Sequence, residues 1–470
     1  MKFLFALWDG GGAVPPELGV ARRLIARGHD VRIIADPTLR DQSFAIGAGF
    51  TPWNAAPHRT TGAATEDLVK DWELRNPISM LARIRDRLLA GPAGAMAADT
   101  AAELTDHVPD ALVADYFMFG AMIPAQAAGL PVAALVPNIW ALPTPGAPPL
   151  GPGFPLARGP LGRSRDAILT SLTNRVFAKG LPVLNAARAE HGLAPLTSFY
   201  DQVLTTQRIL VLTSPTFDYA APFVPDNVRY VGPMLDEPGW AEPISLPWPH
   251  DEQPLVLVGL SSTFQDQAAL VQRIIDALSD LPVRAVVTTG PAMDPALFTA
   301  TGTVHVVQSA PHGPLIDRAA VVVTHCGHGT TLKSLAAGVP LVCIPMGRDQ
   351  DDTAARVVHH GAGVRLTPRA STDQIRAAIG KVLTHGEYRI AAERLADAIA
   401  AERETLELRD EPGDGRRRTA AVNQPAVRKR AVRGGGAISM GARRSIATSG
   451  PLTTVSPMSM TTARFRSGTA

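Results

Sequence analysis

The stretch VVVTHCGHGTTLKSLAAGVPLVCIPMGRDQDD, residues 321–352, gathers the side chains best suited to chemistry. Its apolar run reads as a buried strand that ends at His325. Gly327 and Gly329 form a turn, and Thr330 and Thr331 open a helix. A helix N-terminus offers unpaired N–H groups and a partial positive charge. Small residues there let a diphosphate approach the backbone closely. The two threonine hydroxyls add donors, and His325 can donate to a phosphate oxygen. Open α/β sheets bind ligands at the carboxyl ends of their strands, which is where this anion site would lie. An ordinary strand-to-helix turn with a capping threonine is the alternative, and the downstream Asp349–Gln350 pair weighs against it.

A second glycine turn, WDGGGAVPP, follows the N-terminal run KFLFAL. A dinucleotide fingerprint needs Gly-x-Gly-x-x-Gly, and here Pro15 stands where the third glycine belongs. A nicotinamide or flavin reading is therefore weak. Asp9, before the glycines, reads either as a turn residue bonding local backbone or as a cleft carboxylate. His359 and His360 read as helix-terminal charges. No histidine spacing suggests zinc, and paired thiols are absent.

The elements that must position these turns alternate between strand and helix. Leu18, Ala21, Leu24 and Ile25 share one helical face, Gly28 suits the position past its end, and HDVRIIAD reads as the next strand. Strands are expected at 110–115 and 131–137, with a helix between. Residues 138–163 are rich in Pro and Gly, and read either as a surface loop or as an apolar lip over a cleft, carrying Trp140 and Phe154. The segment 49–58, with Trp53, reads either as a lip or as core. Alternation restarts after a proline-rich stretch, with strands at LVLVGLSS, VRAVVTTG, AVVVTHC and VPLVCIP. Such a pattern implies parallel sheets with helices on both faces. The expected organisation is an N-terminal Rossmann-like domain over 1–212, a linker over 213–252, a second Rossmann-like domain over 253–386, a helix over 387–408 and a disordered basic tail over 409–470.

The totals fit this division. The chain has 470 residues, 46% hydrophobic and 19% charged, and a net charge of +2. From Arg409 onward there are 12 basic and 3 acidic residues, which leaves 33 basic and 40 acidic residues before it. The ordered part is thus mildly acidic, and nucleic-acid binding is not expected. Cys326 and Cys343 are too few for a disulfide framework and fit a reducing compartment. The N-terminal apolar run is too short for a signal peptide, and no run is long enough to span a membrane, so a cytoplasmic location is expected.

The 321–352 stretch resembles the donor-binding motif of GT-B, family-1-type glycosyltransferases, above all their bacterial natural-product and antibiotic branch. That family carries His-x-Gly-x-x-(Ser/Thr)-Thr, then Gly-Val-Pro, then Asp-Gln. Here these are His325, Gly327, Thr330, Thr331, Gly338-Val339-Pro340 and Asp349-Gln350. The resemblance covers residues 1–405 and implies two Rossmann-like domains facing a cleft. It implies that His325 and the helix start hold a diphosphate and that Asp349 and Gln350 bond sugar hydroxyls. SAPHGPLIDRA places His312 near the nucleotide base, and LVGLSST makes Ser262 a phosphate neighbour. Ala13, Trp53 and Trp140 then fall on acceptor loops, and the 387–405 helix crosses back to the first domain.

Two departures from the family stand out. Its plant members use a Glu to grip both ribose hydroxyls where this chain has Lys333, and a lysine accepts no hydrogen bond. That favours dTDP-sugars over UDP-sugars, unless Lys333 is a solvated helix residue. The family's catalytic histidine aligns with Ala13, whose methyl group takes no proton. Its usual partner aspartate matches Asp115, which is left as the candidate base. The expected function is inverting transfer of a hexose or deoxyhexose from a dTDP- or UDP-sugar to a small apolar acceptor, with no cofactor and no obligatory metal. A homodimer is compatible with this. Two other readings stay open: a non-catalytic nucleotide-sugar-binding helper, suggested by Ala13, and an enzyme such as an epimerase acting on the nucleotide sugar alone.

Overall fold

The computed structural model describes residues 1–74, 76–219, 224–248 and 253–410, without the side chains of 406–410. The expected disorder of the tail falls almost wholly outside these residues. Two all-parallel sheets organise the rest.

The first sheet holds β1 (Lys2–Ala6), β2 (Asp30–Ala35), β3 (Gly49–Pro52), β4 (Ala111–Asp115), β5 (Val132–Val136), β6 (Arg208–Val211) and β7 (Val228–Tyr230). Their order is β3-β2-β1-β4-β5-β6-β7. The second holds β8 (Leu255–Gly259), β9 (Arg284–Thr288), β10 (Val304–Val307), β11 (Ala319–Thr324), β12 (Leu341–Cys343) and β13 (Gly363–Arg365), in the order β10-β9-β8-β11-β12-β13. β7 comes from the proline-rich stretch read as linker, and it edges the first sheet.

The central strands are buried on both faces, which is why they read as continuous apolar runs. Parallel strands need helical crossovers, and the first is the helix Val14–Ala26. Pro15 and Pro16 occupy its opening positions, where a missing N–H costs nothing. Gly28, with φ +80°, turns the chain toward β2.

In each sheet the strand order reverses once, between β1 and β4 and between β8 and β11. Crevices form at such reversals, at the carboxyl ends of the strands. The two crevices face each other. A Cβ on Gly11 would lie 2.5 Å from Thr263 Cγ2, so the first glycine turn touches the loop after β8. Gly11 therefore serves close approach between lobes, and it also needs its φ of +67°.

One apolar cluster joins the lobes: Ile139 and Phe217 pack with Leu332, Ala392, Leu395 and Ile399. The last three lie on the helix Gly386–Asp410. Farther along that helix, Glu402 accepts a hydrogen bond from the Thr216 amide, 3.0 Å away, beyond β6 of the first sheet.

Candidate active site

The second lobe brings His325, Gly327, Gly329, Thr330 and Thr331 together at the end of β11, where the helix His328–Ala336 begins. A Cβ on Gly327 would sit 2.5 Å from His325 Nε2, so only glycine lets the ring fold over this turn. His325 Nδ1 and Thr331 Oγ1 are buried without a partner among the described residues. Burial lowers the His325 pKa to about 4, so the ring is neutral at pH 7 and one nitrogen carries a proton to donate. Ser262 follows β8, with its hydroxyl 3.4 Å from the Cβ position of Gly11.

His312 is half-buried, and both of its ring nitrogens are engaged. Nε2 meets Thr288 Oγ1 at 3.0 Å, and Nδ1 meets Thr330 Oγ1 at 3.3 Å. The ring thus supports Thr330. Lys333 is not a solvated residue: its ammonium sits 2.7 Å from Glu237 Oε2. Glu237 in turn accepts from the amides of His312 (3.2 Å) and Gly313 (2.7 Å). A carboxylate from the proline-rich segment before β8 therefore stands beside Lys333. Sequence reasoning gave no sign of it.

Asp349 and Gln350 separate in role. Asn138, just past β5 in the first lobe, donates from Nδ2 to Asp349 Oδ2 at 3.1 Å. The Gln350 amide is turned inward. Its Oε1 accepts from the Met346 amide at 2.7 Å, and its Nε2 donates to Gln265 at 2.9 Å. One amide hydrogen and one lone pair remain. The neighbouring Arg348, with φ +58°, donates to both oxygens of Asp71 and to Thr263. Gln265 also donates to Asp71. These residues form a polar latch between lobes, and no sequence motif marks it.

In the first lobe, Asp115 ends β4 and is 1% exposed. Its Oδ1 accepts from the Phe117 amide at 2.7 Å. Burial raises its pKa to about 6, while the neighbouring Glu17 side chain, the Phe117 amide and the Trp8 side chain hold the rise down. Glu17, one helical turn beyond Ala13, is fully buried, and burial followed by the Asp115 charge raises its pKa strongly. Asp9 proves to be a turn residue: its Oδ1 accepts from the Gly11 amide and its Oδ2 from Thr38.

Tyr116 and Phe117, directly after Asp115, line an apolar cavity together with Leu81, Ile84, Trp140 and Leu150. Its empty volume is about 1050 Å³, most of it open to solvent at the mouth. Trp140 is held there by bonds from its amide to Asp218 and from its indole to Thr144. Of the 138–163 stretch, Trp140 to Leu150 line the cavity, while its last residues open the helix Pro160–Ala178. Trp53 takes the core alternative: it is 2% exposed, and its indole N–H bonds to the Leu7 carbonyl. Among the described residues no three His, Cys, Asp or Glu side chains converge as metal ligands, and no helix is long and apolar enough to cross a membrane.

Residues 272–411 match the family described as "Erythromycin biosynthesis protein CIII-like, C-terminal domain". The chain is 31% identical to 4'-demethylrebeccamycin synthase of Lentzea aerocolonigenes, over 85% of this chain and 96% of that one. Two solved structures share the fold. The glycosyltransferase of kitacinnamycin superposes with a TM-score of 0.67 at 22% identity, covering 87% of this chain and 97% of its own. A glycosyltransferase in complex with dTDP superposes with a TM-score of 0.61 at 17% identity, covering 87% and 98%.

Proposed function

The chain belongs to the GT-B glycosyltransferases of bacterial natural-product biosynthesis, and from that premise we infer how its cleft carries out nucleotide-sugar-dependent transfer. The division of labour follows the two crevices. Residues 1–212, with β7 completing their sheet, receive the acceptor, residues 253–386 hold the donor, and the rest of 213–252 links them. The acceptor is a largely apolar molecule seated in the cavity beside Tyr116 and Trp140. The donor is a dTDP-sugar in preference to a UDP-sugar. Lys333 is tied to Glu237, so a single carboxylate there is shared with a cation, and one relative in fold carries dTDP. Two free, buried cysteines favour a cytoplasmic location.

Transfer proceeds by direct displacement with inversion. The acceptor oxygen bonds to the anomeric carbon while the bond from that carbon to the diphosphate oxygen breaks, its electron pair leaving with the diphosphate. The helix start at 328–331, His325 and Ser262 stabilise the departing charge, as preorganised donors do. Asp349, turned toward the cleft beside Asn138, orients the sugar. The acceptor proton passes to Asp115. The observation that carries this reading is that Asp115 ends β4 at the reversal point of the first sheet, as His325 and the helix start at 328 follow β11 at the reversal point of the second. An ordinary aspartate is a weak base for an alcohol, but one whose pKa is about 6 is better matched to a phenol or another acidic acceptor.

Mass spectrometry of reactions with dTDP- and UDP-sugars and a panel of phenolic and alcoholic acceptors tests this. The wild type is expected to form adducts, faster with dTDP-sugars. Asp115→Asn should lower kcat by about 10²–10⁴-fold with donor binding unchanged. Donor binding without any adduct would favour the helper reading that Ala13 suggests. Conversion of donor without acceptor would favour an epimerase-like enzyme.

A further inference from the structure

Ala13 removes the imidazole that would partner Asp115, yet the aspartate is not left alone. Glu17 follows Ala13 by four residues on the helix Val14–Ala26, so the two share a face. The Glu17 carboxyl is 0% exposed and meets the Asp115 carboxyl, itself 1% exposed. Neither Glu17 oxygen receives a hydrogen bond from a donor among the described residues. An ionised, unsolvated carboxylate against a second one is untenable in a buried site. The contact becomes favourable when one proton lies between the two groups.

The surrounding groups do not change this. Trp8 comes from the turn after β1, and Tyr116 and Phe117 from the turn after β4. Asp349 acts on Tyr116 across the cleft. None of these is a cation, and Arg348 and Arg356 act on Asp349. Among the described residues, no cation acts on either carboxyl of the pair.

We propose that Glu17 is a positioning residue for transfer: it remains protonated and donates its O–H to Asp115, leaving one negative charge on the pair and aiming Asp115 at the acceptor. The inference rests on the reading of Asp115 as base. Glu17 then does what the family's histidine cannot do here, since it fixes the protonation and orientation of the aspartate without touching substrate. In the reaction the acceptor O–H bond breaks and its proton joins Asp115, while the Glu17 proton stays in place. After product leaves, Asp115 returns the proton to solvent. The raised pKa of both groups agrees with one shared proton at neutral pH.

Two readouts test the proposal. The first is infrared difference spectroscopy of Glu17→Gln against wild type at pH 7. The wild type should show a protonated-carboxyl stretch that Glu17→Gln lacks, whatever its activity. Absence of that band from the wild type overturns the proposal. The second is the acidic limb of the kcat/KM profile. Glu17→Gln keeps a donor to Asp115, so the limb should stay near its wild-type position. Glu17→Leu removes the donor, so the limb should move up by about one pH unit, with kcat/KM at pH 7 falling about twofold. An unmoved limb in a folded Glu17→Leu overturns it too. If Glu17→Leu does not fold, the infrared result on Glu17→Gln decides. Failure of the base reading is separate: Asp115→Asn would then retain full transfer.

Discussion

A neutral histidine at the end of β11 is better suited to a diphosphate site than a charged one. An imidazolium would have to be desolvated before the ligand arrives, whereas the neutral ring is stable in its buried place and still carries one donor. His325→Ala deletes that donor. Hydrogen bonds to charged groups are worth about 1.5–3 kcal/mol, so affinity for a nucleoside diphosphate should fall roughly 10–100-fold. Affinity for the matching nucleoside, which lacks phosphates, should be unchanged. Calorimetric titration of both ligands checks this, and an equal loss for the two would mean that the ring only supports the fold. Glu17 belongs to the same scale and shows why single residues mislead. An acid in the first turn of a helix ordinarily answers the helix dipole in solvent, and this one is buried against another carboxyl.

The glycine turn after β1 matters as an element more than as a motif. Gly11 brings its own lobe against Thr263 of the other, with a backbone conformation that a side chain disfavours by about 1–2 kcal/mol. Gly11→Ala is expected to lower the melting temperature through this strain and through collision with Thr263 Cγ2. Adding Thr263→Ser removes the colliding methyl and keeps the hydroxyl that accepts from Arg348. The double variant should recover part of the loss in thermal unfolding. No recovery would mean that the strain alone sets the cost. The loop 138–153 is also positioned from the other lobe. Asp352, on the helix Gln350–His359, accepts hydrogen bonds from the amides of Gly151 and Gly153.

Across the whole molecule, several buried acids carry a charge that is costly in the fold. Burial raises Asp352 from 3.8 to about 7, and Asp36 and Asp115 each from 3.8 to about 6. A carboxyl with a raised folded-state pKa favours folding while protonated. That contribution is complete below about pH 4 and is lost as pH rises through the folded value. These acids therefore subtract stability from pH 4 toward pH 7, with Asp352 governing the last part, while His312, His325 and His328, each lowered from 6.5 to about 4, add stability up to about pH 6.5. Asp352→Asn carries no charge and keeps an oxygen for one glycine amide, so it should flatten the decline between pH 6 and pH 8. Calorimetric scans across that range check it, and an unaltered slope would show that Asp352 is not the group responsible. The latch of Asp71 with Arg348 and Gln265, and the Asp218–Arg356 pair at 2.7 Å, join segments far apart in sequence.

The sequence by itself determined the parallel sheets and the strand-to-helix turn over 325–331. Both rest on local pattern: continuous apolar strands, 3.6-residue helical faces, and a strand–glycine–threonine run whose spacing has few other uses. It also marked the missing imidazole, since Ala13 stands at a fixed distance from Gly12 and Pro16. Only the tertiary structure decided what replaces it. Glu17 and Asp115 are 98 residues apart, and their contact follows from β1 lying beside β4. The same is true of Glu237 against Lys333, of Asp71 against Arg348, and of Trp53 turning inward to Leu7. Side-chain type and local spacing are written along the chain, but burial and charge pairing are properties of the space between elements. That space exists only once the two sheets have set their reversal points face to face.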